Sequence, residues 1–143
     1  MTDPIRLLLA DDQQMVRAGF RLVLDAQPDM SVVGEANDGA EALQLVDELA
    51  PDVVLMDIRM PVLDGLGATE KIMTSHPEAK ILVLTTFDLD EYVHSALRAG
   101  ASGFMLKDAG PTELLAAIRA VRDGDSVVAP SATRRLIERF IPR

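Results

Sequence analysis

Five side chains that suit phosphate or metal chemistry stand at the ends of short apolar runs in the sequence. Asp11 and Asp12 follow the first run, Asp57 ends another, and Thr85 and Lys107 end or follow two later ones. Short runs of this kind are typical of strands buried on both faces. In an open α/β sheet, ligands bind beyond the carboxyl ends of the parallel strands. We therefore expect these side chains to meet in one cleft, although they are far apart in the sequence.

The combination of side chains predicts phosphoryl chemistry. Three carboxylates in one cleft repel one another unless a cation lies among them. Oxygen ligands without sulfur favour Mg²⁺, which takes one or two carboxylates and keeps several waters. Pro61 and Asp64-Gly65 break the backbone soon after Asp57, so this residue should lie where a strand gives way to a loop. A carboxylate beside Mg²⁺ at that place is a candidate nucleophile toward phosphorus. Lys107 would offset charge on the phosphoryl oxygens, and Thr85 would donate a hydrogen bond to them.

The elements that must position these residues alternate along the chain. Apolar runs predict strands at 6–10, 30–36, 53–57, 80–85 and 103–106. Amphipathic spacing and capping signals predict helices at 14–25, 38–49, 66–75, 88–100 and 111–121, with Asp38 and Asp88 as N-terminal caps and Gly100 closing the fourth helix. Five such units imply a parallel α/β sheet with helices on both faces.

Composition narrows the classes of function. The chain has 143 residues, of which 48% are apolar, and a net charge of −9 from 14 basic and 23 acidic residues. Nucleic-acid binding relies on basic residues, so this segment is a poor DNA or RNA binder as it stands. No apolar run approaches the roughly 18 residues of a membrane helix. The absence of cysteine excludes disulfides and zinc–thiolate sites, and it fits a reducing, cytoplasmic location.

Over roughly residues 4–125, the sequence resembles the receiver domain of bacterial two-component response regulators. The motifs that carry the resemblance are Asp11-Asp12, the loop with Asp57, Met60-Pro61 and Asp64-Gly65, then Thr85, and finally Gly103-Phe104-Met105-Leu106-Lys107. The resemblance implies a flavodoxin-like (βα)5 fold, with a doubly wound parallel sheet in the strand order 2-1-3-4-5.

The resemblance also implies a metal site. Asp57 would be the phosphoacceptor, and Asp12 and Asp57 would coordinate Mg²⁺ together with the backbone carbonyl of Arg59. Asp11 would help to position the metal, partly through water. Domains of this kind accept a phosphoryl group from the phosphohistidine of a sensor histidine kinase and lose it by slow hydrolysis. The resemblance therefore implies a signalling domain and not an enzyme that turns over a pool of substrate.

A conformational switch is implied as well. Thr85 and Lys107 would bind the phosphoryl oxygens, and Phe104 matches the aromatic switch position. Phosphorylation would draw Thr85 inward, let Phe104 turn inward, and repack the face made by the fourth helix, the fifth strand and the fifth helix. The expected output is a change in homodimerisation that controls transcription.

The wording of residues 100–108, with Thr85-Thr86, resembles the NarL/FixJ-like subgroup whose regulators carry a C-terminal LuxR-type helix-turn-helix. Asp108 is a departure, because many receivers have proline there. We expect a receiver domain at 1–125, followed at 126–143 by a linker or short helix leading toward a DNA-binding domain that this chain lacks. The sequence could be an excised receiver or a stand-alone one, and the linker-like tail together with the resemblance to the subgroup favours the first.

Two alternatives remain open at this point. An aspartyl-phosphate hydrolase would use a similar nucleophile and metal, but it usually has a second acid two residues further on, where this chain has Arg59. An interaction module of the same fold that works without phosphorylation would not need the full set of acidic, hydroxyl and ammonium groups.

Overall fold

The computed structural model describes residues 3–86, 90–125 and 127–128, and its centre is a parallel sheet. The strands are β1 (Ile5–Ala10), β2 (Met30–Ala36), β3 (Val53–Asp57), β4 (Ile81–Thr85), β5 (Gly103–Leu106) and β6 (Val127–Val128). Their order is β2-β1-β3-β4-β5-β6, and every neighbouring pair is parallel. The predicted order 2-1-3-4-5 is confirmed, and β6 adds a two-residue edge strand that the sequence pattern did not indicate.

Five helices connect these strands. They are α1 (Gln14–Asp25), α2 (Gly39–Leu49), α3 (Gly65–Ser75), α4 (Asp90–Arg98) and α5 (Pro111–Arg122). The predicted cap of α2 is confirmed, because the Asp38 carboxylate accepts a hydrogen bond of 2.8 Å from the backbone N–H of Glu41. None of the helices in the described ranges is long and apolar enough to cross a bilayer.

The end of α4 shows why Gly100 was a reliable stop signal. Its φ is +103°, in the left-handed region that favours glycine. The N–H of Gly100 bonds to the carbonyl of Leu97 (3.1 Å), and that of Ala101 bonds to Ala96 (3.0 Å), which is the Schellman pattern. The predicted start of this helix at Asp88 lies outside the described residues.

Helices cover both faces of the sheet, so the core has two layers. On one face, apolar side chains of β1, β3, β4 and β5 pack against α2, α3 and α4. On the other, alternate residues of the same strands pack against α1 and α5. Burial on both faces explains why the strand sequences are continuous apolar runs and do not alternate with polar residues. The residues after 125 include β6, and the remainder of the predicted linker lies outside the described residues.

Candidate functional site

The register of the sheet brings the carboxyl ends of its central strands level with one another. Ala10 is paired with Met56, which places the residue after each of them side by side. On the other side of β3, Asp57 is paired with Leu84, and the last pair between β4 and β5 joins Thr85 to Leu106. The strand-end residues predicted from the sequence therefore share one edge of the sheet.

Strand alternation then separates these residues by face. Asp11, Asp57 and Lys107 each stand two positions after a side chain that packs toward α1 and α5. Thr85 stands two positions after Val83, which packs toward α2, α3 and α4. The acidic and ammonium groups consequently lie on the same side of the strand ends, and the hydroxyl approaches from the other side.

The three predicted carboxylates converge as expected. One oxygen each from Asp11, Asp12 and Asp57 can be chosen so that all three lie within 4.8 Å of one another. Asp11 and Asp57 are buried, with 3% and 7% of their surface exposed, whereas Asp12 is exposed to solvent. Two of the three carboxylates are thus buried, and the exposed one leaves the cluster open to an arriving ion or phosphoryl group.

Lys107 supplies an ammonium group to this cluster. Its Nζ lies 2.6 Å from Oδ2 of Asp11 and 3.1 Å from Oδ1 of Asp57, and its backbone N–H bonds to the carbonyl of Thr85 at 2.7 Å. The three carboxylates and this ammonium together carry a formal charge of −2. That excess negative charge is the electrostatic basis for binding a divalent cation.

Burial has a direct effect on the phosphoacceptor candidate. Desolvation raises the pKa of Asp57 above its ordinary value of 3.8, the charges of Asp11 and Asp12 raise it further, and Lys107 opposes them. Burial by itself would lower the pKa of the Lys107 ammonium, but its contacts with Asp11 and Asp57 raise that pKa overall. The lysine therefore remains charged while it contacts both carboxylates.

The donor set fits Mg²⁺. The cluster offers only carboxylate oxygens, it lies at a solvent-accessible edge, and it has surplus negative charge, all of which suit a hard divalent cation that keeps part of its water. Of the predicted ligands, Asp11, Asp12 and Asp57 are brought together. Arg59, with its side chain exposed, lies two positions after Asp57 in the loop between β3 and α3. Its carbonyl as a ligand stays a prediction.

The loop between β3 and α3 is folded tightly against the site. The N–H of Gly65 bonds to the carbonyl of Ile58 at 2.8 Å, and a Cβ on Gly65 would lie 1.9 Å from the carbonyl oxygen of Asp57. Only glycine permits this approach. The Asp64 carboxylate caps α3 through a 2.7 Å bond from the N–H of Gly67. The loop motif singled out in the sequence is thus explained by backbone closure around Asp57.

The two residues predicted to form the switch are both buried. Thr85 is 3% exposed, and Phe104 is fully buried in the layer that packs against α2, α3 and α4. Phe104 is paired with Val83 in the sheet, and Val83 stands two positions before Thr85 on the same face. A displacement of Thr85 would therefore be felt on the face of the sheet that holds the Phe104 ring.

Two residues at this edge were not found from the sequence. The guanidinium of Arg17 donates a hydrogen bond to the backbone carbonyl of Asp11. Gly39 donates its N–H to the carbonyl of Leu63 (2.9 Å) and leaves no room there for a Cβ. A signal for Arg17 existed: it lies two helical turns before Leu24, so an arginine occupies a position on the buried face of α1.

Comparison with known proteins decides the family. The sequence profile of the response regulator receiver domain matches residues 7–119. The chain belongs to the response regulator receiver domain family. It is 48% identical over 135 residues to the uncharacterized transcriptional regulatory protein YxjL of Bacillus subtilis, and 48% identical over 138 residues to the oxygen regulatory protein NreC of Staphylococcus aureus. These matches cover 94% and 96% of this chain but only 62% and 64% of the relatives, so the chain spans less than two thirds of their length.

Solved structures agree with this assignment. A two-component response regulator of the LuxR family from Aurantimonas sp. SI85-9A1 superposes with a TM-score of 0.92 at 34% identity, covering 98% of this chain and all of the other. The receiver domain of the putative response regulator NarL from Mycobacterium tuberculosis superposes with a TM-score of 0.83 at 35% identity, covering 86% of this chain and 99% of the other. The predicted resemblance to receivers of the NarL and LuxR type is confirmed.

Proposed function

We propose that this receiver domain accepts a phosphoryl group on Asp57 from the phosphohistidine of a sensor histidine kinase, in a reaction that depends on Mg²⁺. One observation carries the proposal. A buried carboxylate at the end of β3 lies within 4.8 Å of two further carboxylates and 3.1 Å from the ammonium of Lys107. A nucleophile, a site for a divalent cation and a fixed positive charge are thereby present at one edge of the sheet.

In the proposed transfer, a carboxylate oxygen of Asp57 attacks phosphorus. The new O–P bond forms as the bond between phosphorus and the donor imidazole nitrogen breaks, and the electron pair leaves with that nitrogen. Bound Mg²⁺, held by Asp12 and Asp57 and positioned by Asp11, would supply charge neutralisation at the phosphoryl oxygens. Lys107 contributes a second positive charge, and Thr85 donates a hydrogen bond once the phosphoryl group has arrived. Water later attacks the phosphorus, the bond between phosphorus and the Asp57 oxygen breaks, and inorganic phosphate leaves as the carboxylate is restored.

The proposed output is a change of packing on the face that holds Phe104. The Phe104 ring is buried in this structure, and the proposed change is that it turns inward when Thr85 moves toward the phosphoryl group. Phosphorylation adds negative charge next to Lys107 and Thr85, which is the kind of local change that biases an element with two arrangements. This chain is 27% identical in sequence to the isolated receiver domain of RcsB from Salmonella enterica. The structure of that domain, solved with a phosphomimetic beryllofluoride, superposes on this chain with a TM-score of 0.83.

For the whole protein, we propose a transcription regulator that dimerises on phosphorylation and contacts DNA through a C-terminal helix-turn-helix. The support is that YxjL is described as a transcriptional regulatory protein and that this chain covers 62% of it. The net charge of −9 fits a segment that does not itself bind DNA. A kinase partner of this kind implies a cytoplasmic location.

The experiment that tests the proposal is phosphorylation by acetyl phosphate, followed by intact-mass measurement with Mg²⁺ or with EDTA. We expect one added phosphoryl group in the presence of Mg²⁺ and none in EDTA or in Asp57→Asn. Asp64→Asn is the matched control, because asparagine also caps a helix and Asp64 lies outside the carboxylate cluster. Unchanged phosphorylation of Asp57→Asn would rule out Asp57 as the acceptor. Steady release of phosphate from many simple phosphate esters would indicate a hydrolase instead.

A further inference from the structure

Arg17 is a buried charged side chain that the proposed phosphoryl transfer does not use. Only 9% of its side chain is exposed, and it lies on the inner face of α1 together with Leu24. Burying a guanidinium is unfavourable unless charged or hydrogen-bonding partners compensate for the lost water. The partners of Arg17 should therefore show what keeps an arginine at a position where an apolar residue would pack.

Two partners hold the Arg17 guanidinium. Its Nη1 donates to the backbone carbonyl of Asp11, and its Nε lies 3.0 Å from Oε1 of Glu35 on β2. The other oxygen of Glu35 contacts Arg21, one turn further along α1, at 2.6 Å. Glu35 thus binds two arginines. Of these two, Arg17 is the one that also donates a hydrogen bond to the backbone carbonyl of Asp11.

The hydrogen bond from Arg17 is one of several that hold Asp11 in place. Its N–H donates to the carbonyl of Ala36 at 3.1 Å, its Oδ1 accepts from the N–H of Gln13 at 2.9 Å, and its carbonyl accepts from Arg17. The peptide that joins Asp11 to Asp12 is planar, so holding the carbonyl also sets the position from which the Asp12 side chain begins. Asp12 is the exposed carboxylate of the cluster.

We propose that Arg17 is a positioning residue for the metal site: it orients the peptide between Asp11 and Asp12, so that the Asp12 carboxylate points into the cluster. Glu35 holds the guanidinium in the required place. This inference rests on the proposed Mg²⁺ site. The competing interpretation is that Arg17 merely clamps α1 to β2, in which case its removal would lower stability without altering metal affinity.

Calorimetric titration with Mg²⁺ separates the two interpretations, at a temperature where each variant is folded by circular dichroism. We expect Arg17→Gln to weaken Mg²⁺ binding by about 10-fold or more, the range typical for loss of a group that orients a metal ligand. The Mg²⁺ affinity of Arg17→Lys should lie between those of the wild type and of Arg17→Gln. One ammonium cannot bind both Glu35 and the Asp11 carbonyl in the manner of a guanidinium fork. Arg21→Gln is the matched control, since it removes the other arginine bound to Glu35, and we expect its affinity to change by less than about 2-fold.

A second measurement does not need the metal. In the metal-free protein, the backbone amide resonance of Asp12 should shift in Arg17→Gln and Arg17→Lys but not in Arg21→Gln. Wild-type Mg²⁺ affinity in both Arg17 variants, with an unmoved Asp12 amide, would overturn the inference. If Arg17→Gln does not fold, Arg17→Lys decides by the same criteria. Failure of the wild-type protein to bind Mg²⁺ would instead contradict the proposed function, and the Asp12 amide would still report on whether Arg17 orients the peptide.

Discussion

Substitution of Asp57 by asparagine should stabilise the metal-free protein, even though it removes the proposed phosphoacceptor. At an effective dielectric constant of about 20, two unit charges 4.8 Å apart repel by about 3.5 kcal/mol. Asp57 has two such neighbours, Asp11 and Asp12. Against these repulsions stands the attraction of Lys107, which at 3.1 Å amounts to about 5 kcal/mol. Asparagine removes both the repulsion and the attraction, and it avoids the cost of burying a charged group. Its side-chain oxygen can still accept a hydrogen bond from the Lys107 ammonium.

The net result is a predicted gain of about 1–2 kcal/mol in the free energy of unfolding at neutral pH, or roughly 3–6 °C in Tm for a domain of this size. The pH dependence has a defined sign. Because the pKa of Asp57 is raised on folding, its contribution favours the folded state at low pH and is lost as the pH rises through that pKa. The advantage of Asp57→Asn should therefore grow as the pH increases above about 4.

The assay is thermal and urea unfolding in EDTA and then in Mg²⁺. Mg²⁺ should raise the Tm of the wild-type protein more than that of Asp57→Asn, because binding to the folded state stabilises it by mass action. The control is Glu70→Gln, which removes an exposed carboxylate of α3 and should change stability by less than about 0.5 kcal/mol. An Asp57→Asn protein that melts below the wild type in EDTA at neutral pH would refute the electrostatic account of this cluster.

Three further predictions concern residues around the site and at the opposite end of the sheet. Val62 has a φ of +69°, which is strained for a β-branched residue, so Val62→Gly should raise the unfolding free energy by about 1 kcal/mol, and a loss of stability in urea would contradict this. Gly65→Ala should destabilise by about 3 kcal/mol and slow phosphorylation, because its Cβ would overlap the carbonyl of the phosphoacceptor, whereas Gly19→Ala, with open space, should be neutral or stabilising. His76 lies 2.5 Å from Asp47, whose hydrogen bond raises its pKa above 6.5; an NMR titration should show the pKa of His76 falling in Asp47→Asn, and no change would exclude the contact in solution. Its contribution to stability should be present at low pH and lost as the pH rises through the raised pKa.

Much of the fold could be predicted because local signals agreed with one another. The apolar runs of β2, β3 and β5 coincide with the observed strands, and Asp38 caps α2 as its spacing from Glu41 predicts. Parallel strands need crossover helices, so the alternation of elements led directly to a two-layered sheet. The edge strand β6 was missed because two valines between turn-forming residues carry too little pattern to distinguish a strand from a linker.

The sequence predicted where along the sheet the site residues lie, but not which of their side chains contact one another. Sequence reasoning placed Asp11, Asp57 and Lys107 at one edge, and the register of the sheet brings them together. It could not show that Lys107 contacts both carboxylates, because that depends on side-chain geometry. Nor could it show that Arg17 reaches the Asp11 carbonyl, since an arginine on a helix is usually exposed to solvent. The assigned roles of these residues in phosphoryl transfer remain predictions.

The central claim is that the acyl phosphate forms on Asp57. Borohydride reduces an acyl phosphate on aspartate to homoserine, so peptide mapping after treatment with acetyl phosphate and Mg²⁺ reports the modified position directly. We predict homoserine at position 57, dependent on Mg²⁺ and absent when acetyl phosphate is omitted. Homoserine at position 11 or 12, or none at any position under conditions where Mg²⁺ binds, would contradict the account.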